Sequence, residues 1–513
     1  MRSRLPHGGP GRSRRAGRGQ ALAALLLATA LGATGQPALA TRTVPPGDAG
    51  PLRWTACPQP EALPEARCTT LRVPLDHTRP GGPTISLALA RLPARRPARR
   101  IGPLLINGGG PGGSAVLDVA TAAPPFDTPQ LDRLRDRFDL IGMDPRGVGE
   151  SAPVRCHHPL RDPSVRVFPR TPAEFERLVR LNRVAGRSCR QATGVLLEYV
   201  DTRSVVRDVD AVREALGATT LSWLGLSYGT EIGALYAERY PHRVRAMVLD
   251  GAVDHGRPAR RAALDEARAT ERAFARFAAW CGAAPACALH GRDVPAVYDR
   301  LLANAERGRV RAAAPGAGPA RAASADELAG GAYGYLTQRD RWPELARALA
   351  AAAGTGGPPD ASALLRAAPY GQSTYPSYRA VGCHDFAPDT HGFVDMKRQW
   401  TRLRGAAPHT WRYSEFWDWT SGCLGWPVKA ANPPAPVRVR GTPPVLVVNT
   451  RYDPATPYAW ARSLTVGIEG ARLLTVDGDG HTGALHSTCA RAQEARYLAT
   501  VRLPAPRTVC RTR

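Results

Sequence analysis

Leu221-Ser222-Trp223-Leu224-Gly225-Leu226-Ser227-Tyr228-Gly229-Thr230 is the stretch that decides the fold. Residues 221–224 form a short apolar run of the buried-strand kind, and from Glu231 to Arg239 the pattern turns helical. Between them stands G-x-S-x-G. A strand that turns sharply into a helix needs glycine on either side of the bend, where side chains would collide. The serine at the apex then projects its hydroxyl above the sheet with a helix N-terminus behind it. In a chain with 51 glycines the pattern alone is weak. Its setting between strand and helix makes Ser227 the expected nucleophile, against the plainer reading of a turn serine.

Outward from this turn the same grammar repeats. Short apolar runs at 103–106, 138–143, 246–249, 444–449 and 472–476 alternate with Gly-rich turns and helical stretches such as Thr202 to Leu216. This predicts an α/β protein with a mostly parallel sheet covered by helices on both faces. Ahead of it, alternation at 70–75 and 84–90 predicts an antiparallel hairpin. From residue 256 the chain becomes helical and Ala/Arg-rich, with Pro/Gly-rich breaks near 312–320 and 354–360, until strands return. The expected organisation is a core at 41–255 and 436–513 interrupted by a mainly helical cap at 256–435. A separately folding domain is the alternative.

A serine hydroxyl needs a base and an acid, which this architecture, the α/β-hydrolase fold, supplies in the chain order Ser, acid, His. Asp453 follows the strand at 444–449, and His481 follows the strand at 472–476 through the loop Asp477-Gly478-Asp479-Gly480. Asp250, at the end of another strand, is the rival acid, and His486 the rival base. The segment Ile106-Asn107-Gly108-Gly109-Gly110-Pro111-Gly112-Gly113-Ser114 offers bare backbone N–H groups for an oxyanion hole. Gly110, with Gly109 as the lesser candidate, is expected to join the Tyr228 N–H there. A phosphate-binding P-loop is excluded by the missing lysine of its motif.

The N-terminus has six arginines up to Arg18, an apolar run from Ala21 to about Leu31, and then Ala38-Leu39-Ala40. This predicts a signal peptide at 1–40 and a secreted protein, with Arg14-Arg15 a weak hint of a twin-arginine route. All ten cysteines lie after it, so disulfides are expected, paired between neighbours in order: 57 with 68, 156 with 189, 281 with 287, 383 with 423, 489 with 510. The formal charge is +25, or +19 without the six N-terminal arginines. The remaining arginines are dispersed and no stripe concentrates them, so nucleic acid is not an expected partner. The densest run, Arg91 to Arg100, reads as a solvated loop suited at most to weak docking on anionic envelope polymers. Beyond the N-terminus no apolar run is long enough to span a membrane.

Together, Asn107 to Ser114, Asp144-Pro145-Arg146-Gly147-Val148-Gly149-Glu150-Ser151, Gly225 to Thr230 and Asp453 to Pro457 resemble the secreted bacterial tripeptidyl aminopeptidases, kin to prolyl aminopeptidases. The resemblance runs from Trp54 to Cys510 and is poorest in the cap; Gly108 stands where the family often has proline. It implies a serine exopeptidase that removes short peptides or single residues from free N-termini. The implied triad is Ser227, Asp453 and His481, and neither metal nor cofactor is required. A substrate ammonium calls for a desolvated carboxylate. Asp385, in Gly382-Cys383-His384-Asp385, is the candidate, with a cap-structural aspartate as the alternative. Two other functions stay open: an esterase or lipase with the same triad, and a non-catalytic envelope-binding protein.

Overall fold

The computed structural model describes residues 52–313, 320–355, 357–371 and 373–512. The signal-peptide expectation lies outside them.

Ten strands form one sheet: β1 (Thr55–Ala56), β2 (Arg67–Pro74), β3 (Thr84–Leu92), β4 (Gly102–Asn107), β5 (Phe138–Met143), β6 (Leu221–Leu226), β7 (Val244–Asp250), β10 (Leu446–Tyr452), β11 (Arg472–Asp479) and β12 (Val509–Arg511). The remaining two, β8 (Arg311–Ala312) and β9 (Arg321–Ala322), make a separate small hairpin. The spatial order is β1-β2-β3-β5-β4-β6-β7-β10-β11-β12. The expected hairpin is β2–β3, and β3 also pairs antiparallel with β5. From β5 to β12 every pairing is parallel.

The period-two alternation of a strand sorts these apolar runs between two cores. Leu105, Trp223, Met247, Leu249 and Val447 face one cluster, which includes Tyr228, Ile232 and Trp460. Their neighbours Leu104, Ile106, Leu224, Val248, Leu446 and Val448 face the other, closed by Val116, Leu131, Tyr497 and Leu498. Both faces are therefore covered, which is why the runs are continuously apolar.

Between β7 and β10 the chain is mainly helical. Helices Ala259–Ala283, Val294–Glu306, Ala325–Leu336 and Trp342–Ala352 share a core of their own around Phe277, Tyr298, Leu328, Trp342 and Leu349. The later helices Tyr375–Asp385 and Glu415–Gly422 instead contribute Tyr378, Phe416 and Trp419 to the core on the sheet, joined by Phe386 just past the end of the first. All five disulfides join the pairs expected from chain order. In the Arg91–Arg100 run, Arg95 pairs with Asp132, Arg100 with Asp139, and Arg91 lies over Trp54. Much of that charge is thus engaged within the molecule. Among the described residues no helix is long and apolar enough to cross a membrane.

The Asp144–Ser151 segment is anchored by a buried ion pair. The Arg146 guanidinium donates to Asp208 at 2.7 Å and to the carbonyls of Leu75 (2.7 Å) and Pro74 (3.1 Å), with both charged side chains wholly buried. Removing one member of such a pair strands the other charge. Asp208→Ala is expected to destabilise the fold by about 3–5 kcal/mol, read as a lowered denaturation midpoint at unchanged slope.

Candidate active site

Ser227 has φ 53°, a left-handed conformation rare for a residue with a side chain, and it sits where β6 passes into the helix Gly229–Arg239. Its N–H donates to the Asp250 carbonyl at 2.8 Å, fastening the bend to the end of β7. Glycine at 225 and 229 is a packing requirement. A Cβ at 225 would stand 2.3 Å from the Gly229 carbonyl oxygen, and one at 229 would stand 2.4 Å from that of Asn107.

The Gly-rich loop after β4 lies directly against this bend. A Cβ on Gly109 would stand 2.6 Å from the Leu226 carbonyl oxygen and 3.0 Å from the Tyr228 nitrogen. The Gly109 N–H is already held by Asn107 Oδ1 at 3.1 Å. Among the described residues the N–H groups of Gly110 and Tyr228 have no acceptor, and both residues line a small pocket with Ser227. Tyr370 donates its hydroxyl to the Gly110 carbonyl at 3.0 Å, so a helical-region residue fixes the far side of the loop.

His481 and Asp453 meet. Nδ1 of the imidazole lies 2.9 Å from Asp453 Oδ2 and 3.1 Å from Oδ1. The carboxylate is buried and also accepts from the N–H groups of Ala455 and Thr456, both at 2.9 Å, and from the Thr456 hydroxyl at 2.9 Å. Asn449 braces this turn, donating to the Thr456 carbonyl at 3.0 Å while accepting from the Ala252 N–H at 2.8 Å. The His481 N–H donates to the Thr337 carbonyl at 2.7 Å. Burial disfavours the imidazolium, but the Asp453 carboxylate and its hydrogen bond outweigh that, and His481 titrates above its ordinary value. Glu415 and Asp250 add to the effect.

The rival residues sit elsewhere. Asp250 accepts from the N–H groups of Gly483 (2.8 Å) and Ala484 (2.7 Å), so its carboxylate holds the turn after His481. His486 turns its Nε2 to the Thr337 carbonyl at 3.2 Å, and burial lowers its pKa. Asp385 is fully buried beneath the bend, accepting from the Thr202 hydroxyl at 2.6 Å and from the Tyr228 phenol. It is not among the residues lining the pocket; the carboxylate that faces the pocket is Glu415, with Val253, Phe386, Phe416, Trp419, Ala455 and Thr456.

Glu415 escaped the sequence reading. It begins the helix Glu415–Gly422, and the buried Glu266 accepts that helix's N–H groups of Glu415 and Phe416, both at 3.0 Å. Tyr333 donates to Glu266 at 3.0 Å and approaches Glu415 at 3.4 Å. Burial, and then the charge of Glu415, push Glu266 up; burial likewise raises Glu415. Glu266 is wholly buried behind the helix, while Glu415 is the carboxylate turned to the pocket. The one local sign was the aromatic run Phe416-Trp417-Asp418-Trp419, in a chain with only 6% aromatics.

The sheet order, the elbow at its centre and the loop from β4 define an α/β-hydrolase, and the chain is a serine hydrolase. A family profile described as TAP-like protein matches residues 409–510. The chain is 34% identical over 460 residues to serine protease Hip1 of Mycobacterium tuberculosis (strain ATCC 25618 / H37Rv), covering 84% of this chain and 85% of that one. It is 34% identical over 495 residues to carboxylesterase B of the same organism, covering 92% of each. It is 30% identical over 479 residues to the tripeptidyl aminopeptidase of Streptomyces lividans, covering 90% of this chain and 86% of that one. The solved proline iminopeptidase of Mycobacterium smegmatis aligns over 84% of this chain and 97% of its own, at 17% identity and a TM-score of 0.36. The chain belongs to the tripeptidyl aminopeptidase family of serine peptidases.

The tight approach of loop to elbow makes a sharp prediction. Gly109→Ala places a methyl group against two backbone segments at a positive φ, and is expected to cost about 1–3 kcal/mol of stability together with most labelling by a fluorophosphonate. Labelling at the wild-type rate would contradict the packing described.

Proposed function

We propose that the protein is a secreted exopeptidase that releases short peptides, of di- or tripeptide size, from free N-termini. Ser227 is the nucleophile, His481 its base and Asp453 the group that fixes the imidazole tautomer. The Gly110 and Tyr228 N–H groups stabilise the oxyanion. His481 takes the serine proton as Oγ attacks the scissile carbonyl, then returns it to the leaving amine; water, activated by the same imidazole, releases the acyl group. The five disulfides and the N-terminal sequence support export to an oxidising compartment.

The observation that carries the substrate reading is Glu415 in the pocket beside Ser227, backed by Glu266. An ester or lipid acyl chain gives a carboxylate there nothing to do. A substrate ammonium pairs with it and favours its ionised form. The amine-binding role considered for Asp385 therefore passes to Glu415.

The test compares a chromogenic tripeptide amide carrying a free N-terminus with its N-acetylated counterpart and with a small activated ester. Ser227→Ala is expected to lower turnover of the free tripeptide by about a millionfold and to abolish fluorophosphonate labelling. Glu415→Gln is expected to lower kcat/KM for the free tripeptide by roughly 10–100-fold and, at a pH above the His481 limb, to leave ester hydrolysis nearly unchanged. Equal loss on ester and peptide would remove the amine-binding role, and preference for the acetylated substrate would favour an esterase.

The pH dependence follows from His481, whose neutral form is the base. Because its folded pKa is raised, activity is present above that value and lost as pH falls through it. With the ester, which does not engage Glu415, the acid limb of kcat/KM is expected to have its midpoint above about 6.5, the ordinary histidine value. A midpoint below that would contradict the assignment.

A further inference from the structure

A second cavity, of about 330 Å³, shares no lining residue with the pocket at Ser227. Its wall includes Arg203 and Arg207 of the helix Thr202–Ala215 and Arg239 and Glu238 of the helix Gly229–Arg239, and its floor includes His255 and Asn432. Arg203 and Arg207 are one helical turn apart and so present their guanidinium groups on one face. Neither lies within ion-pair distance of a carboxylate among the described residues; Asp76 acts on Arg207 only at longer range. Arg203 moreover stands in the first turn of its helix, where the helix dipole disfavours a cation, so helix stability does not account for it.

The floor adds two features that a surface cluster of arginines lacks. His255 is 2% exposed and lies 3.0 Å from Glu231; burial opposes its cation, yet Glu231 lifts it to about 9. It is therefore neutralised by its partner, leaving the arginines as the excess charge against Glu238, whose Oε1 already accepts from the Arg438 N–H at 2.6 Å. Asn432 is wholly buried, with Nδ2 directed to Glu231 at 3.4 Å and Oδ1 without a partner. A buried acceptor left open costs about 1–3 kcal/mol unless a donor reaches it.

We propose that this cavity is a binding site for a phosphate group, held by Arg203 and Arg207 and donating a hydrogen bond from its protonated oxygen to Asn432 Oδ1. Charge alone would accept any small oxyanion. The open acceptor selects one that carries a hydrogen, which phosphate has near neutral pH and sulfate lacks. The volume leaves room for a small group attached to the phosphorus, so free phosphate and the monoanion of a small phosphate monoester, whose second pKa is about 6, are both sources of this chemistry.

The test is calorimetric titration of the whole mature protein bearing Ser227→Ala, which keeps the measurement independent of catalysis, at constant ionic strength. Inorganic phosphate is expected to bind saturably, and sulfate about tenfold more weakly. Glycerol phosphate binding more tightly than inorganic phosphate would identify a monoester as the ligand, and weaker binding the free ion. Arg203→Gln with Arg207→Gln is expected to weaken phosphate by at least about tenfold, whereas Arg183→Gln with Arg187→Gln, an exposed pair with the same spacing on the helix Pro172–Thr193, leaves it unchanged. Both pairs lie on the surface, and matching melting temperatures would establish that the variants fold. Absence of saturable phosphate binding, equal weakening by both double variants, or sulfate binding as tightly as phosphate would overturn the proposal.

Discussion

The contact on which the site rests is the hydrogen bond from the Ser227 N–H to the Asp250 carbonyl, at 2.8 Å, across the adjacent ends of β6 and β7. A serine at φ 53° is held in a conformation it would leave if free, and the neighbouring backbone has to over-determine it. That is why glycine recurs around it. Gly225 and Gly229 let the bend close on itself and on Asn107, and Gly109 lets the Gly-rich loop after β4 come within touching distance of the same peptide units. Ser227 and the N–H groups of Gly110 and Tyr228, which have no acceptor among the described residues, are thus parts of one packed unit rather than separate loops brought together by substrate.

Asp250 extends that unit to the histidine. Its carbonyl receives the elbow, while its carboxylate receives Gly483 and Ala484 in the turn that follows His481. Burial keeps its pKa high, and the neighbouring Glu494, also wholly buried, is pushed up further by burial and by the charge of Asp250. The acid at the end of β7 is therefore a brace, which leaves the position facing His481 Nδ1 to Asp453.

The strands around Ser227 were readable because burial on both faces makes them unbroken apolar runs, and the turn between β6 and its helix because sterics demand glycine there. The helix begins two residues before its periodic pattern does, since Gly229 and Thr230 belong both to the bend and to its first turn. The disulfides follow chain order because each joins segments close in sequence, separated by 6 to 40 residues. Asp385 shows where local reasoning stops. A disulfide at Cys383 does tether its helix, but the direction of a side chain on that helix is set by what it packs on, and Asp385 points at Thr202 and Tyr228. Glu415 was invisible for the same reason: its environment is made by Glu266, 149 residues earlier.

The elements that reach the proposed triad from outside the sheet are consistently those of the helical region between β7 and β10. Thr337 receives the His481 N–H, Tyr370 holds the Gly110 carbonyl, and Arg276 pairs with Asp479 at the end of β11. The same region supplies Glu266, Glu415, Phe386 and Trp419 to the pocket and its backing. A helical region joined to the sheet only by its two chain crossings could move without disturbing the residues at the strand ends. One that also fixes the backbone of His481 and of the Gly-rich loop after β4 cannot. With the proposed triad, substrate selection and catalytic geometry are mechanically coupled, and substitutions in the helical region should alter kcat as well as KM.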